Sequence, residues 1–193
     1  MITNLAPPPG YAPSDPPPLG PARGLVSRVE EAVIERPLSE VVAAVDAARL
    51  EDWIDGSGSL PGVRGTCVLR GERFDAPGSR HMVFLTDGTT VVEQVLDKHR
   101  GPDGYGFRYQ VWDYSTPAAK PLRYGLGAFA YTPLDGGNTH VRWTYAFELR
   151  PDRFPGLLGP RLGGWLLKKA LLDGAYAQWM RGSLARLKAI AER

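Results

Sequence analysis

Leu162–Ala191, LGGWLLKKALLDGAYAQWMRGSLARLKAIA, is the stretch whose reading decides the fold. Its apolar stripe is Leu162, Leu166, Ala170, Leu172, Tyr176, Trp179, Met180, Leu184, Leu187 and Ile190, spaced on average at the period of a helix. One long terminal helix is therefore predicted. Ahead of it lies a long run of alternating, strand-like sequence. A single long helix set against antiparallel strands implies a curved sheet wrapped around it, and such an arrangement tends to leave a hollow.

Moving toward the N-terminus, six strands are predicted before that helix: Val63–Phe74, Arg80–Thr86, Thr90–Lys98, Gly106–Tyr114, Tyr124–Thr132 and His140–Leu149. Short glycine- and proline-rich punctuation separates them, with Asp87-Gly88 the clearest hairpin turn. Short connections favour an antiparallel meander over β-α-β units. Before Val63, alternation over Leu25–Glu35 predicts a first strand. Two short helices follow, one over Pro37–Val45 and one over Ala47–Ile54. Residues 1–24 carry eight prolines and read as an extended, polyproline-like arm; the rest, 25–193, reads as one domain. A disordered leader is the expectation for the arm, ahead of a ligand for a proline-recognising module or a strap along the body.

Composition excludes several classes. Net charge is +2, from 23 basic and 21 acidic residues, which gives no electrostatic footprint for nucleic acid. The terminal helix is locally basic, and a solvated outer face accounts for that better than an anionic membrane. No run approaches the ~20 apolar residues of a bilayer span, and no secretory signal pattern opens the chain. A cytoplasmic protein without an integral membrane segment is expected. The single cysteine, Cys67, allows no internal disulfide and no thiolate metal cluster, and its apolar setting predicts an inert thiol. His81, His99 and His140 stand apart, so no metal site is expected. No nucleophile elbow, phosphate-binding loop or dinucleotide fingerprint is present, and no cofactor is expected.

Several short stretches carry a family resemblance through their order and spacing. They are Glu35-Arg36-Pro37-Leu38-Ser39-Glu40-Val41, Leu50-Glu51-Asp52-Trp53, Pro61-Gly62-Val63-Arg64-Gly65, Val92-Glu93-Gln94-Val95-Leu96-Asp97 and Gly137-Asn138-Thr139-His140-Val141-Arg142-Trp143. With the element order, they resemble the START-like (SRPBCC, Bet v 1-like) superfamily over about residues 25–193, in its polyketide cyclase/dehydrase-type branch. The resemblance implies an α+β helix-grip fold: a curved antiparallel sheet of about seven strands around a long C-terminal helix, with two short helices after the first strand. The proline-rich arm and the glycine- and proline-rich Phe154–Leu162 depart from that pattern.

Strand parity then selects residues for the hollow. Trp143, Tyr145 and Phe147 form the apolar face of the last strand, and Phe107 and Tyr109 that of the strand from Gly106. On Tyr124–Thr132 the even set, Tyr124, Leu126, Ala128 and Ala130, is expected to face inward, with the odd set ending in Phe129 and Tyr131 as the alternative. Tyr176, Trp179 and Met180 would meet them from the helix. Glu93 shares a face with Val91 and Val95; it either lines the hollow, as an acidic residue does in the hormone-receptor relatives, or sits outside paired with a cation such as Arg108. His81, mid-strand, is a further candidate.

Two functions follow. The first is binding of a small hydrophobic molecule (a lipid, polyketide or isoprenoid) in the internal cavity. The second is a cofactor-independent polyketide cyclase or dehydratase, with Glu93, Tyr124, Tyr145 and His81 as candidate acid–base residues. A protein-interaction module with a filled interior is the competing prospect.

Overall fold

The computed structural model describes residues 5–12 and 14–193. Its elements are β1 (Leu25–Ile34), α1 (Leu38–Ala47), α2 (Leu50–Trp53), β2 (Val63–Arg70), β3 (Arg80–Leu85), β4 (Thr90–Gly101), β5 (Gly104–Trp112), β6 (Leu122–Leu134), β7 (Asn138–Leu149), α3 (Gly159–Leu167) and α4 (Ala177–Ala191). All seven strands pair antiparallel in the order β1-β7-β6-β5-β4-β3-β2, so β1 and β2 are the edges. This is the helix-grip arrangement expected from the sequence. The β4–β5 hairpin runs farther than the apolar alternation shows. His99 and Arg100 continue the ladder to Gly106 and Tyr105, the latter buried in the core, and only Pro102 and Asp103 lie between the two strands.

The terminal helix is not one rod. Between α3 and α4, Lys168–Tyr176 is wound as a π-helix, and the backbone leaves helical values at Gly174 (φ −109°, ψ −105°). Apolar periodicity continues across the break, which is why spacing alone reads it as continuous. Glycine is a usual site for such a kink. Beside it, Glu30 on β1 accepts from Arg28 (2.8 Å) and from Arg181 of α4 (3.1 Å), and Arg28 also reaches Asp173 (3.4 Å). This network ties both sides of the kink to the edge strand.

On β6 the expected parity is reversed. Gly125, Gly127, Phe129 and Tyr131 are buried toward the helix, whereas Tyr124 and Leu126 face the convex side of the sheet. The reason is local. A Cβ on Gly127 would run into the Tyr109 ring, and one on Gly125 would meet the Tyr114 hydroxyl and the Tyr145 ring. The small inner floor is therefore made of glycines, which a hydrophobicity pattern does not register, while the alanines lie outside.

Tyr124 instead belongs to a second apolar cluster on the convex face, with Met82, Phe84, Val92 and Trp112. The N-terminal arm lies across it, with Leu5 and Tyr11 packed against the cluster. Proline removes donors but leaves carbonyls free, and the sheet supplies the donors. Gln110 Nε2 donates to the Pro17 carbonyl (2.7 Å), and Trp112 Nε1 to Ser14 (3.1 Å to Oγ). Gly20 N–H donates to the Tyr124 hydroxyl (2.8 Å), and Tyr11 O–H to Asp113 (2.7 Å). The arm is thus a strap on the body, not the disordered leader anticipated.

Candidate functional site

α4 packs on β1, α1 and α2, at one end of the sheet. The concave surface of β2–β5 at the other end is left beneath open space, and a cavity of about 1620 Å³ occupies it. Strands contribute Phe107, Tyr109, Tyr145 and Phe147 to its wall; the helical segment contributes Leu167, Leu171, Tyr176 and Trp179. The rings contact one another edge-on, as aromatic quadrupoles prefer: Tyr109 with Tyr145 (6.2 Å, 81°) and Phe147 with Tyr176 (5.3 Å, 81°).

Two ionisable side chains are sunk into this wall. His81 on β3 and Glu93 on β4 are cross-strand partners, 3% and 8% exposed, and Nε2 and Oε2 lie 2.7 Å apart. Phe74, in the β2–β3 connection, stacks flat on the imidazole (3.6 Å, 7°). Burying a lone carboxylate is costly, so the imidazole is what makes Glu93 tolerable here. Arg108, the alternative partner for Glu93, pairs with Asp97 instead (2.9 Å). A hydrogen-bonded imidazole and carboxylate beside a cavity can hand a proton to a bound ligand or take one from it.

The phenols do different work. Burial raises Tyr109, Tyr114, Tyr145 and Tyr176 well above the ordinary tyrosine range, and the Glu93 charge adds to this as a lesser cause. They stay protonated at neutral pH and act as O–H donors, never as bases. Trp179 adds an indole N–H without a partner among the described residues. That nitrogen is covered by protein atoms, so the fold carries the cost of about 1–3 kcal/mol of an unsatisfied buried donor. Cys67 is half-buried on β2, and desolvation pushes its thiol up, away from nucleophilic chemistry. For a metal, His81 and Glu93 are two donors, and among the described residues no group of three His, Cys, Asp or Glu comes together; a catalytic zinc takes three.

Of the residues selected from sequence, Glu93, His81, Phe107, Tyr109, Tyr145, Phe147, Tyr176 and Trp179 meet at the cavity. Trp143 and Met180 are fully buried in the core, outside the cavity lining. Tyr124 is on the opposite face of the sheet, under the arm, and cannot touch a ligand in the cavity. Phe74 was missed, and Tyr114, Phe129 and Tyr131, which belonged to the strand faces not chosen, also line the cavity. Tyr114 returns to the inside because Asp113 has a left-handed backbone (φ 55°), which breaks the alternation of β5.

The family model described as polyketide cyclase/dehydrase and lipid transport matches residues 26–192. The chain belongs to that family. Solved members of the wider fold agree with the architecture. The Zhui aromatase/cyclase from Streptomyces sp. R1128 superposes with a TM-score of 0.61 at 13% identity, covering 88% of this chain and 94% of that one. Ara h 8.0201 gives 0.58 at 16% identity, covering 86% and 95%. The di-domain ARO/CYC StfQ of the steffimycin biosynthetic pathway gives 0.59 at 18%, covering 87% of this chain and 51% of StfQ. At these identities the likeness speaks for the fold. No curated protein shows significant sequence similarity to this polyketide cyclase/dehydrase and lipid transport family member. Among its described residues, no helix is long and apolar enough to cross a membrane.

Proposed function

We propose that the protein binds a small, mostly apolar molecule of the lipid, polyketide or isoprenoid type in the cavity between sheet and helix, in the cytoplasm. The observation that carries this reading is the cavity itself, about 1620 Å³, walled by aromatic side chains with His81 and Glu93 set among them and with further charged residues such as Arg49, Arg64 and Lys98 in its lining. Ligand sites of about 300–1,000 Å³ suffice for drug-sized molecules, so a polycyclic or long-chain ligand fits. Glu93 and His81 supply the polar handles that orient it, against walls of Phe107, Tyr109, Tyr145, Phe147, Tyr176 and Trp179.

A second reading, a cofactor-independent cyclase or dehydratase, is favoured by one feature: the buried His81–Glu93 pair. In that reading the pair removes a proton α to a carbonyl, and a neutral phenol such as Tyr145 hydrogen-bonds the developing enolate oxygen. The aromatic walls hold a flexible poly-β-ketone in one folded form, which lowers the entropic barrier. Solvent extraction of the purified protein followed by mass spectrometry distinguishes the two readings. A retained lipid or terpenoid supports carriage. Turnover of a poly-β-ketone that Glu93→Gln abolishes while binding persists supports catalysis. Neither a retained molecule nor turnover, with apolar probes also failing to bind, overturns both.

A further inference from the structure

Away from the cavity, the stretch from the end of β7 into α3 exposes apolar surface that the fold does not use. Phe154, Leu157, Leu162 and Trp165 are 64%, 63%, 52% and 56% exposed, and Leu158 is exposed beside them. Isolated apolar side chains on a surface need no explanation, but a contiguous group of large ones does. The residues turned inward here are small. Gly163 lies against the Pro155 carbonyl and Gly164 against the Val26 side chain, where an added methyl group would collide. α3 is therefore docked by its glycines, while Leu162 and Trp165 are held outside. This reverses the sequence expectation, which turned Leu162 toward the sheet.

The same stretch is cationic, and the exposed apolar side chains beside it set aside the solvated outer face expected from the sequence. Between residues 150 and 169 stand Arg150, Arg153, Arg161, Lys168 and Lys169 against Asp152 alone, and Lys169 is paired with Asp173 just beyond (3.2 Å). Asp152 is shared by Arg150 (2.9 Å) and Arg153 (3.7 Å), and Arg161 and Lys168 are exposed at either end of α3. Leucines with Phe and Trp, rimmed by Lys and Arg, form the combination that settles at the boundary between lipid headgroups and acyl chains. A second copy of the chain suits the patch less well, because a two-fold contact through it sets like charges against each other.

We propose that the face formed by residues 150–169 is a peripheral docking surface for an anionic lipid bilayer. It does not depend on the reading of the cavity, since docking needs no bound ligand. Leu167, two positions from Trp165 on the same helix, does line the cavity, so docking would bring the cavity wall close to the acyl chains.

The test is co-sedimentation of the full-length protein with vesicles of phosphatidylcholine alone and of phosphatidylcholine mixed with phosphatidylglycerol. The protein is expected to sediment with the mixed vesicles, to be released by salt, and to lose about fivefold in partitioning for each of Arg161→Gln and Lys168→Gln. The triple variant Phe154→Ser, Leu157→Ser, Trp165→Ser is expected to stay in the supernatant with an unchanged circular dichroism spectrum, since all three side chains are exposed. Tryptophan emission should shift to the blue on adding mixed vesicles, and Trp165→Phe should remove that shift. Failure to sediment with either vesicle overturns the proposal, as does equal binding to both. Concentration-dependent dimerisation in the ultracentrifuge, abolished by the triple variant, would assign the face to a second copy of the chain instead.

Discussion

His81 and Glu93 are the residues on which the chemistry of the cavity turns, because each is buried on the strength of the other. Replacing Glu93 with Leu strands the imidazole and should cost about 1–3 kcal/mol, read from the urea midpoint. His81→Leu should cost a similar amount. The double variant should cost less than the two singles together, since it removes both polar groups at once. Simple additivity would mean the two do not depend on each other. Gly127 is the second informative position. Gly127→Val drives a branched side chain into the Tyr109 ring, so overpacking of about 1–3 kcal/mol is expected in the same denaturation experiment. A neutral substitution would show that the ring is free to move. Glu93 was legible in the sequence because Val91 and Val95 share its parity. Its partner was not. A two-residue turn at Asp87-Gly88 would set His81 opposite Gln94. The hairpin instead closes around Asp87, whose Oδ1 accepts from the Thr89 N–H (2.9 Å) and hydroxyl (2.7 Å), and His81 falls opposite Glu93.

Among elements, the arm and the terminal helix departed most from expectation, each for a physical reason. Proline content reads as disorder when only the arm is considered, because a proline-rich chain makes no ladder of its own. What holds it is the row of donors and apolar side chains on the convex face, contributed by strands far away in sequence. Deleting residues 1–20 leaves the Trp112 and Gln110 N–H groups without those acceptors and uncovers Met82 and Phe84. A loss of about 2–4 kcal/mol is expected, together with increased binding of an apolar dye. Unchanged stability would mean that the strap contributes nothing to the fold. The strands themselves were readable almost throughout, because alternation and turn residues agree; the β6 face was not, since glycines 125 and 127 carry no hydrophobic signal, nor was the inward turn of Tyr114 after Asp113. Helical periodicity likewise crosses the break at Gly174 without registering it.

For the molecule as a whole, the helix grips one end of the sheet and leaves the other open, and many buried phenols line the space between. Those phenols set the alkaline limit of the fold. A tyrosine whose native value lies above its unfolded value of about 10 contributes stability that is fully present below that unfolded value. The contribution is lost as pH rises toward the native value, because the unfolded chain ionises first. Tyr109, Tyr114, Tyr131, Tyr145 and Tyr176 are all raised chiefly by burial. The chain should therefore unfold cooperatively above about pH 10, with phenolate absorbance rising in step with loss of circular dichroism. Absorbance that rises fully before unfolding would show the phenols to be open to solvent.

Whether the space is a ligand site is decided most directly by locating a probe in it. Methyl resonances report both faces of the sheet: Val83, Val91 and Leu171 line the cavity, whereas Met82, Val92 and Leu126 belong to the convex cluster under the arm. On titration with a fused aromatic alcohol such as 2-naphthol, saturable shifts are expected for the first group and none for the second. Shifts confined to Met82, Val92 and Leu126, or no saturable shift at all, would contradict a ligand-binding cavity.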